Sequence, residues 1–165
     1  SWFGCACCPS NICRFIPSVP GYVYAARGRD LYVNLYMSNT MTHRLDGGAV
    51  TLTQDTLYPW YGGVCITVDD NQAGSFTLRL RIPGWARGEV TPGDLYAFAD
   101  ERAGDFRVLV NGEEQQGSLE DGYFCITRRW KAGDEVSLEL PMAPRFVRAH
   151  EGKTVNYLII GRDSI

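Results

Sequence analysis

Four of the six cysteines crowd into one short stretch, as Cys5, Cys7, Cys8 and Cys13, while Cys65 and Cys125 stand alone. A thiolate is both a nucleophile and a zinc ligand, so such a cluster points to metal or covalent chemistry. A disulfide framework would spread its partners along the chain, and neighbours such as Cys7 and Cys8 bond to each other only under strain. A tetrahedral zinc site needs four ligands, or three and an open position, and Cys7 with Cys8 would supply two. Cys5 or Cys13 would have to complete a local site, and their spacing matches no paired two-residue-gap knuckle. The same residues fit a second reading, in which small reduced thiols line the junction between two domains.

Other chemistry-bearing residues are more scattered. Tyr58-Pro59-Trp60-Tyr61 and Trp85 offer faces on which a sugar could stack, although aromatics in a sheet protein more often fill the core. His43 and His150 are far apart in sequence, beside no evident base or nucleophile, and read as surface imidazoles. Asp69-Asp70 and Asp100-Glu101 are paired carboxylates of the kind glycosidic chemistry uses, but both lie in polar, turn-like clusters that solvation explains. Neither a phosphate-cradling glycine loop nor a Gly-x-Ser-x-Gly elbow occurs.

The elements that would carry these residues change period along the chain. Ile12, Phe15, Ile16 and Val19 recur at helical spacing, with Asn11 as N-cap and Pro17 and Pro20 limiting continuation, which predicts a short helix or a helix's end. From Asp30 the period becomes two. Leu31, Val33, Leu35 and Met37 alternate with polar neighbours, and the pattern recurs at Val50-Leu52, Val64-Val68, Phe76-Ile82, Phe106-Val110, Phe124-Ile126 and Val136-Leu140. Turn signals separate them at Asp46-Gly47-Gly48, Asp69-Asp70-Asn71, Asn111-Gly112, Asp121-Gly122 and Lys131-Ala132-Gly133-Asp134. The reading is all-β, an antiparallel β-sandwich preceded by a short helical segment, with residues 84–105 as a long loop.

With 165 residues, 45% hydrophobic and 21% charged, the composition excludes disorder and collagen-like repeats. A net charge of −3 with no basic run gives no electrostatic reason to bind nucleic acid or an anionic membrane. No apolar run approaches the roughly 20 residues that span a bilayer. The expectation is a soluble chain, cytoplasmic or exported, cut from something longer, since it opens on Ser1-Trp2-Phe3-Gly4-Cys5 with no leader.

Taken in order, Cys5-Ala6-Cys7-Cys8-Pro9-Ser10-Asn11, Leu31-Tyr32-Val33-Asn34-Leu35-Tyr36, Tyr58-Pro59-Trp60, Leu80-Arg81-Ile82-Pro83-Gly84-Trp85-Ala86 and Val110-Asn111-Gly112 resemble the β-L-arabinofuranosidase family, glycoside hydrolase family 127. Gly122-Tyr123-Phe124, Arg129-Trp130-Lys131-Ala132-Gly133-Asp134 and Leu138-Glu139-Leu140-Pro141-Met142 continue the match over roughly residues 1–148. The resemblance implies a large parent enzyme, with an (α/α) barrel carrying the active site and β-sandwich domains after it. Residues 1–21 would be the last strip of the barrel, 22–148 the sandwich, and 149–165 the start of a following segment or a divergent tail. It further implies that Cys7 is the nucleophile and shares a zinc ion with Cys8, while a Glu and a Cys upstream complete the metal site and another upstream Glu is the acid/base. The substrate implied is a carbohydrate, a non-reducing-end β-L-arabinofuranosyl residue of plant-type glycans. The reading from another class is a non-catalytic β-sandwich module that supports or binds carbohydrate, its cysteines structural.

Overall fold

The computed structural model describes residues 7–100 and 105–150 and the short strand at 160–161. The described residues open on helix α1 (Cys7–Phe15), a single 3-10 turn at Ile16–Ser18, and one turn of helix α2 (Pro20–Val23). Asn11, the expected cap, therefore lies inside the first helix. Its apolar stripe becomes visible only at Ile12, so the preceding turn of cysteines and Pro9 carries no periodic signal, and proline is tolerated in a first turn.

Strands follow in the order β1 (Tyr24–Arg27), β2 (Asp30–Val33), β3 (Asn39–Leu45), β4 (Gly48–Thr56), β5 (Gly63–Asn71) and β6 (Ser75–Arg81). After a 3-10 turn at Gly84–Arg87 come β7 (Tyr96–Phe98), β8 (Arg107–Val110), β9 (Glu113–Glu114) and β10 (Ser118–Glu120). The remaining strands are β11 (Tyr123–Arg129), β12 (Glu135–Glu139), β13 (Arg145–Ala149) and β14 (Ile160–Gly161). A five-stranded sheet runs β1-β2-β6-β11-β10, a six-stranded sheet runs β3-β4-β5-β12-β8-β9, and a small sheet joins β14, β13 and β7.

The two large sheets pack face to face, as the alternation requires. Leu31 and Val33 of β2, Phe76, Leu78 and Leu80 of β6, and Phe124 and Ile126 of β11 point inward from one sheet. Val50 and Leu52, Val64, Ile66 and Val68, Val108 and Val110, and Val136 and Leu138 meet them from the other. Each such side chain contributes about 1.5–3 kcal/mol on burial, which is what fixes the strand register. Trp130 closes one side of this core, its indole N–H donating to the Phe76 carbonyl at 3.0 Å.

The sandwich departs from the sequence reading in specific places. Leu35 and Met37 do not continue β2; residues 34–38 cross from one sheet to the other, with the Tyr36 hydroxyl donating to the Arg81 carbonyl at 2.6 Å. Asp69-Asp70-Asn71 is not a turn but the end of β5, because a bulge against Thr51 and Leu52 absorbs Asp69 as an extra residue. The reversal comes later, at Gln72-Ala73-Gly74. Not every pair is antiparallel either, since β2 and β6 run parallel, Leu31 beside Leu78 and Val33 beside Leu80. At Asn111-Gly112 and Asp121-Gly122 the expected tight turns form, with positive φ at both residues of each pair (53° and 81°, 51° and 83°) as the type I′ hairpin demands.

Candidate functional site

Cys7 and Cys8 occupy the first turn of α1, both exposed, with their Sγ atoms 3.7 Å apart. The Ser10 hydroxyl donates to the Cys7 carbonyl at 3.1 Å, inside the same turn. Two sulfurs bound at about 2.3 Å to one tetrahedral zinc ion stand about 3.8 Å apart. The observed separation and the soft, unhindered donors therefore fit a shared zinc ion. Among the described residues no group of three or more His, Cys, Asp or Glu side chains converges to hold a metal, so a zinc ion held here would need further ligands. Cys13, also exposed, lies in the last turns of α1, and Cys5 falls outside the described residues.

The two isolated cysteines have a different character. Cys65 sits in β5 and Cys125 in β11, both half-buried, and burial pushes each thiol up from its ordinary pKa. A thiol held protonated in this way is a poor nucleophile at neutral pH.

The aromatic candidates separate. Tyr58 and Trp85 pack against the core, Tyr58 edge-on to Tyr36 at 5.9 Å. Trp60 and Tyr61 stay in a tight turn, their amides both donating to the Leu57 carbonyl, with 69% and 67% of their surfaces exposed. That turn follows β4, at the end of the sandwich where the Asn34 amide also meets the Val23 carbonyl of α2. His43 is half-buried on β3 and His150 is exposed after β13. Asp69 accepts from the Thr53 hydroxyl at 2.7 Å, Asp70 accepts from Gln72, and Asp100 pairs with Arg145, so these carboxylates are engaged in local structure. Glu101 lies outside the described residues.

One constellation was missed from sequence. On the outer face of the five-stranded sheet Arg79 lies among Asp30, Tyr32, Glu120 and Cys125. In the sequence Thr77, Arg79 and Arg81 only alternate with the apolar residues of their strand. The partners of Arg79 come from strands 49 and 41 residues away, Asp30 and Glu120, and sheet order cannot be deduced from alternation.

The family described as Beta-L-arabinofuranosidase, GH127 middle domain, matches residues 30–142. A non-reducing end beta-L-arabinofuranosidase of Bifidobacterium longum is 38% identical over 156 residues, which is 90% of this chain and 20% of that protein. Among solved structures, a GH127 beta-arabinofuranosidase superposes with a TM-score of 0.83 at 49% identity, over 91% of this chain and 24% of that one. A GH127 beta-L-arabinofuranosidase from Geobacillus stearothermophilus T6 gives a TM-score of 0.75 at 39% identity, over 91% and 21%. The chain thus spans between a fifth and a quarter of the length of these relatives. With the sandwich, the ordered motifs and these matches in agreement, the chain belongs to the GH127 β-L-arabinofuranosidase family, whose middle domain it contains.

Proposed function

We propose that this chain is a segment of a retaining β-L-arabinofuranosidase, that Cys7 is its nucleophile, and that Cys7 and Cys8 are two ligands of a zinc ion. The observation that carries the reading is the pair of exposed, adjacent thiols 3.7 Å apart at the start of α1, in a chain of this family. In the same proposal residues 1–21 end a helical barrel, 22–148 form the sandwich behind it, and 149–165 lead onward. Most of that last segment lies outside the described residues. Exposed Ile12 and Phe15 of α1, with Ile16 of the 3-10 turn after it, form an apolar stripe suited to packing against further helices.

Bound zinc would supply electrostatic stabilisation of the thiolate form near neutral pH. The Cys7 sulfur attacks the anomeric carbon of a non-reducing-end arabinofuranosyl residue, forming a C–S bond as the glycosidic C–O bond breaks. The departing oxygen takes a proton from a carboxylic acid, which the proposal places upstream in the barrel. Water deprotonated by the resulting carboxylate then displaces the sulfur, returning the thiolate and the acid. Two displacements at one carbon leave its configuration retained.

Intact-mass and peptide mapping of the longer enzyme treated with a mechanism-based arabinofuranosyl inhibitor tests this. The sugar adduct should sit on Cys7 and vanish in Cys7→Ser, since a serine hydroxyl's high pKa makes it a poor nucleophile and ligand. Cys8→Ser should lower zinc content and rate while some labelling of Cys7 persists. An adduct on Cys8 or on a carboxylate, with Cys7 unmodified, would refute the assignment.

A further inference from the structure

On the outer face of the five-stranded sheet a cleft of about 600 Å³ runs between the β1–β2 hairpin and the β10–β11 turn, with Asp30, Tyr32, Arg79, Glu120 and Tyr123 in its walls. Its size falls in the usual range of small-ligand sites. The strand register builds it: Tyr32 lies opposite Arg79 across the parallel pair, and Arg79 opposite Cys125 on the other side. Arg79 is held in one orientation, its Nε donating to Asp30 at 2.9 Å and its Nη1 to Glu120 at 2.9 Å and to the Cys125 sulfur at 3.0 Å. The guanidinium also lies 5.4 Å from the centre of the Tyr32 ring. Tyr32 and Tyr123 meet edge to face, 5.2 Å apart at 86°, and form an aromatic corner.

These features lie outside the packed core of the sandwich, which the inward side chains of β2, β6 and β11 close from beneath. Arg79 and Asp30 are largely shielded, and Glu120 is the more open partner. What the cluster does provide is a fixed set of hydrogen-bonding groups beside aromatic carbon. Arg79 Nη2 and the Tyr32 hydroxyl have no hydrogen bond among the described residues, and Glu120, half exposed, has carboxylate lone pairs to spare. Donors, acceptors and ring surface at close quarters match a polyhydroxylated ring, whose hydroxyls are amphoteric and whose C–H face is apolar. The charge balance selects the ligand further. Arg27 and Arg79 face Asp30, Glu120 and Asp121, two positive groups against three negative, so an anionic sugar is disfavoured and a neutral one is not.

We propose that this cleft is a glycan-binding site for a neutral sugar, with Tyr32 and Tyr123 against the ring and Arg79 and Glu120 on the hydroxyls. The inference rests on the proposed glycosidase reading only for the choice of an arabinan probe. The test is a titration of the isotope-labelled 165-residue chain, followed by amide and arginine side-chain NMR, with a neutral arabino-oligosaccharide and, separately, an oligogalacturonate. The expected result is saturable shifts confined to β2, β6 and the β10–β11 turn with the neutral sugar, and weaker binding of the acidic one. Tyr32→Ala should weaken binding about tenfold, the loss of one aromatic contact. Should Tyr32→Ala fold poorly, Glu120→Gln, a substitution at an exposed side chain, should weaken binding with an unchanged melting temperature. Absence of saturable shifts, shifts centred on Trp60 and Tyr61, tighter binding of the acidic sugar, or wild-type affinity in both variants would each overturn the proposal. Cys7→Ser in the labelled chain should bind as the wild type does, so failure of the nucleophile assignment and failure of this site are read separately.

Discussion

Asp134 is one of the few charged side chains taken into the sandwich, 6% exposed at the turn between β11 and β12. Burial alone would raise its pKa. The Asn111 side-chain amide at 2.9 Å, the Lys131 backbone N–H at 2.8 Å and the nearby Arg128 guanidinium outweigh that and hold the carboxyl below its ordinary value. Asn111 in turn accepts the Glu135 amide, so one carboxylate fastens two turns from different parts of the chain. Asp134→Ala should cost about 1–3 kcal/mol in urea unfolding, the usual loss when a buried hydrogen-bonded group is removed. Because the folded pKa is depressed, the contribution is complete above the unfolded value of about 3.9 and disappears as pH falls through the folded one. The gap between wild type and Asp134→Ala should therefore narrow as the unfolding series is taken below about pH 4. At this scale the sequence was partly legible. Asn111-Gly112 and Lys131-Ala132-Gly133-Asp134 announce turns by residue type, but nothing local says that Asn111 and Asp134 meet. Likewise Cys7 and Cys8 stand out by adjacency, whereas Arg79 looks like any outward residue until β2 and β11 are placed beside it.

Among the elements, those with one buried face were readable and those with none were not. β4, β5, β6, β11 and β12 alternate apolar and polar residues, so a period of two shows through. β3 has only Leu45 fully buried, and its Thr40, Thr42 and Arg44 face water at a sheet edge; β1 and β10 are mostly exposed edge strands. Their places come from hydrogen bonds to a neighbour rather than from side-chain pattern, and edge strands carry little else to recognise them by. Loop geometry is similarly hidden. Gly62 and Gly63 are identical in type, yet a Cβ on Gly62 would come within 2.0 Å of the Leu140 carbonyl oxygen, while a Cβ on Gly63 would meet nothing within 4 Å. Gly62→Ala should thus destabilise by more than about 2 kcal/mol, as backbone must move. Gly63→Ala should stay within about 1 kcal/mol of the wild type. Thermal melts of the two single variants, read side by side, check the contrast.

For the whole molecule, the family and the sandwich were legible because motifs and alternation are properties of the chain itself, while the complement of the site is not. Two thiolates leave zinc half coordinated, so the 165-residue chain should bind zinc weakly, or tightly only through Cys5, Cys13 or a second molecule. Competition with a chromogenic chelator gives that affinity, and Cys7→Ser should abolish what there is. The same chain should release no sugar from an aryl β-L-arabinofuranoside, since the proposed acid/base belongs to the barrel; turnover surviving exhaustive purification would place that group within these residues.

The parallel pairing of β2 with β6 has a consequence for how the chain comes to be made. β2 cannot acquire its second neighbour until β6 has been synthesised, with β3, β4 and β5 built in between. The other sheet waits longer, because β12 is the strand that joins β5 to β8. Contacts so distant along the chain impose a high contact order and a loop-closure cost that must be met before they stabilise anything. The early strands are therefore expected to leave the ribosome as unfinished edges, with the core incomplete until Val136 and Leu138 join it. A nascent chain arrested before β12 is expected to present the unpaired edges of β5 and β8, the kind of surface that chaperones hold.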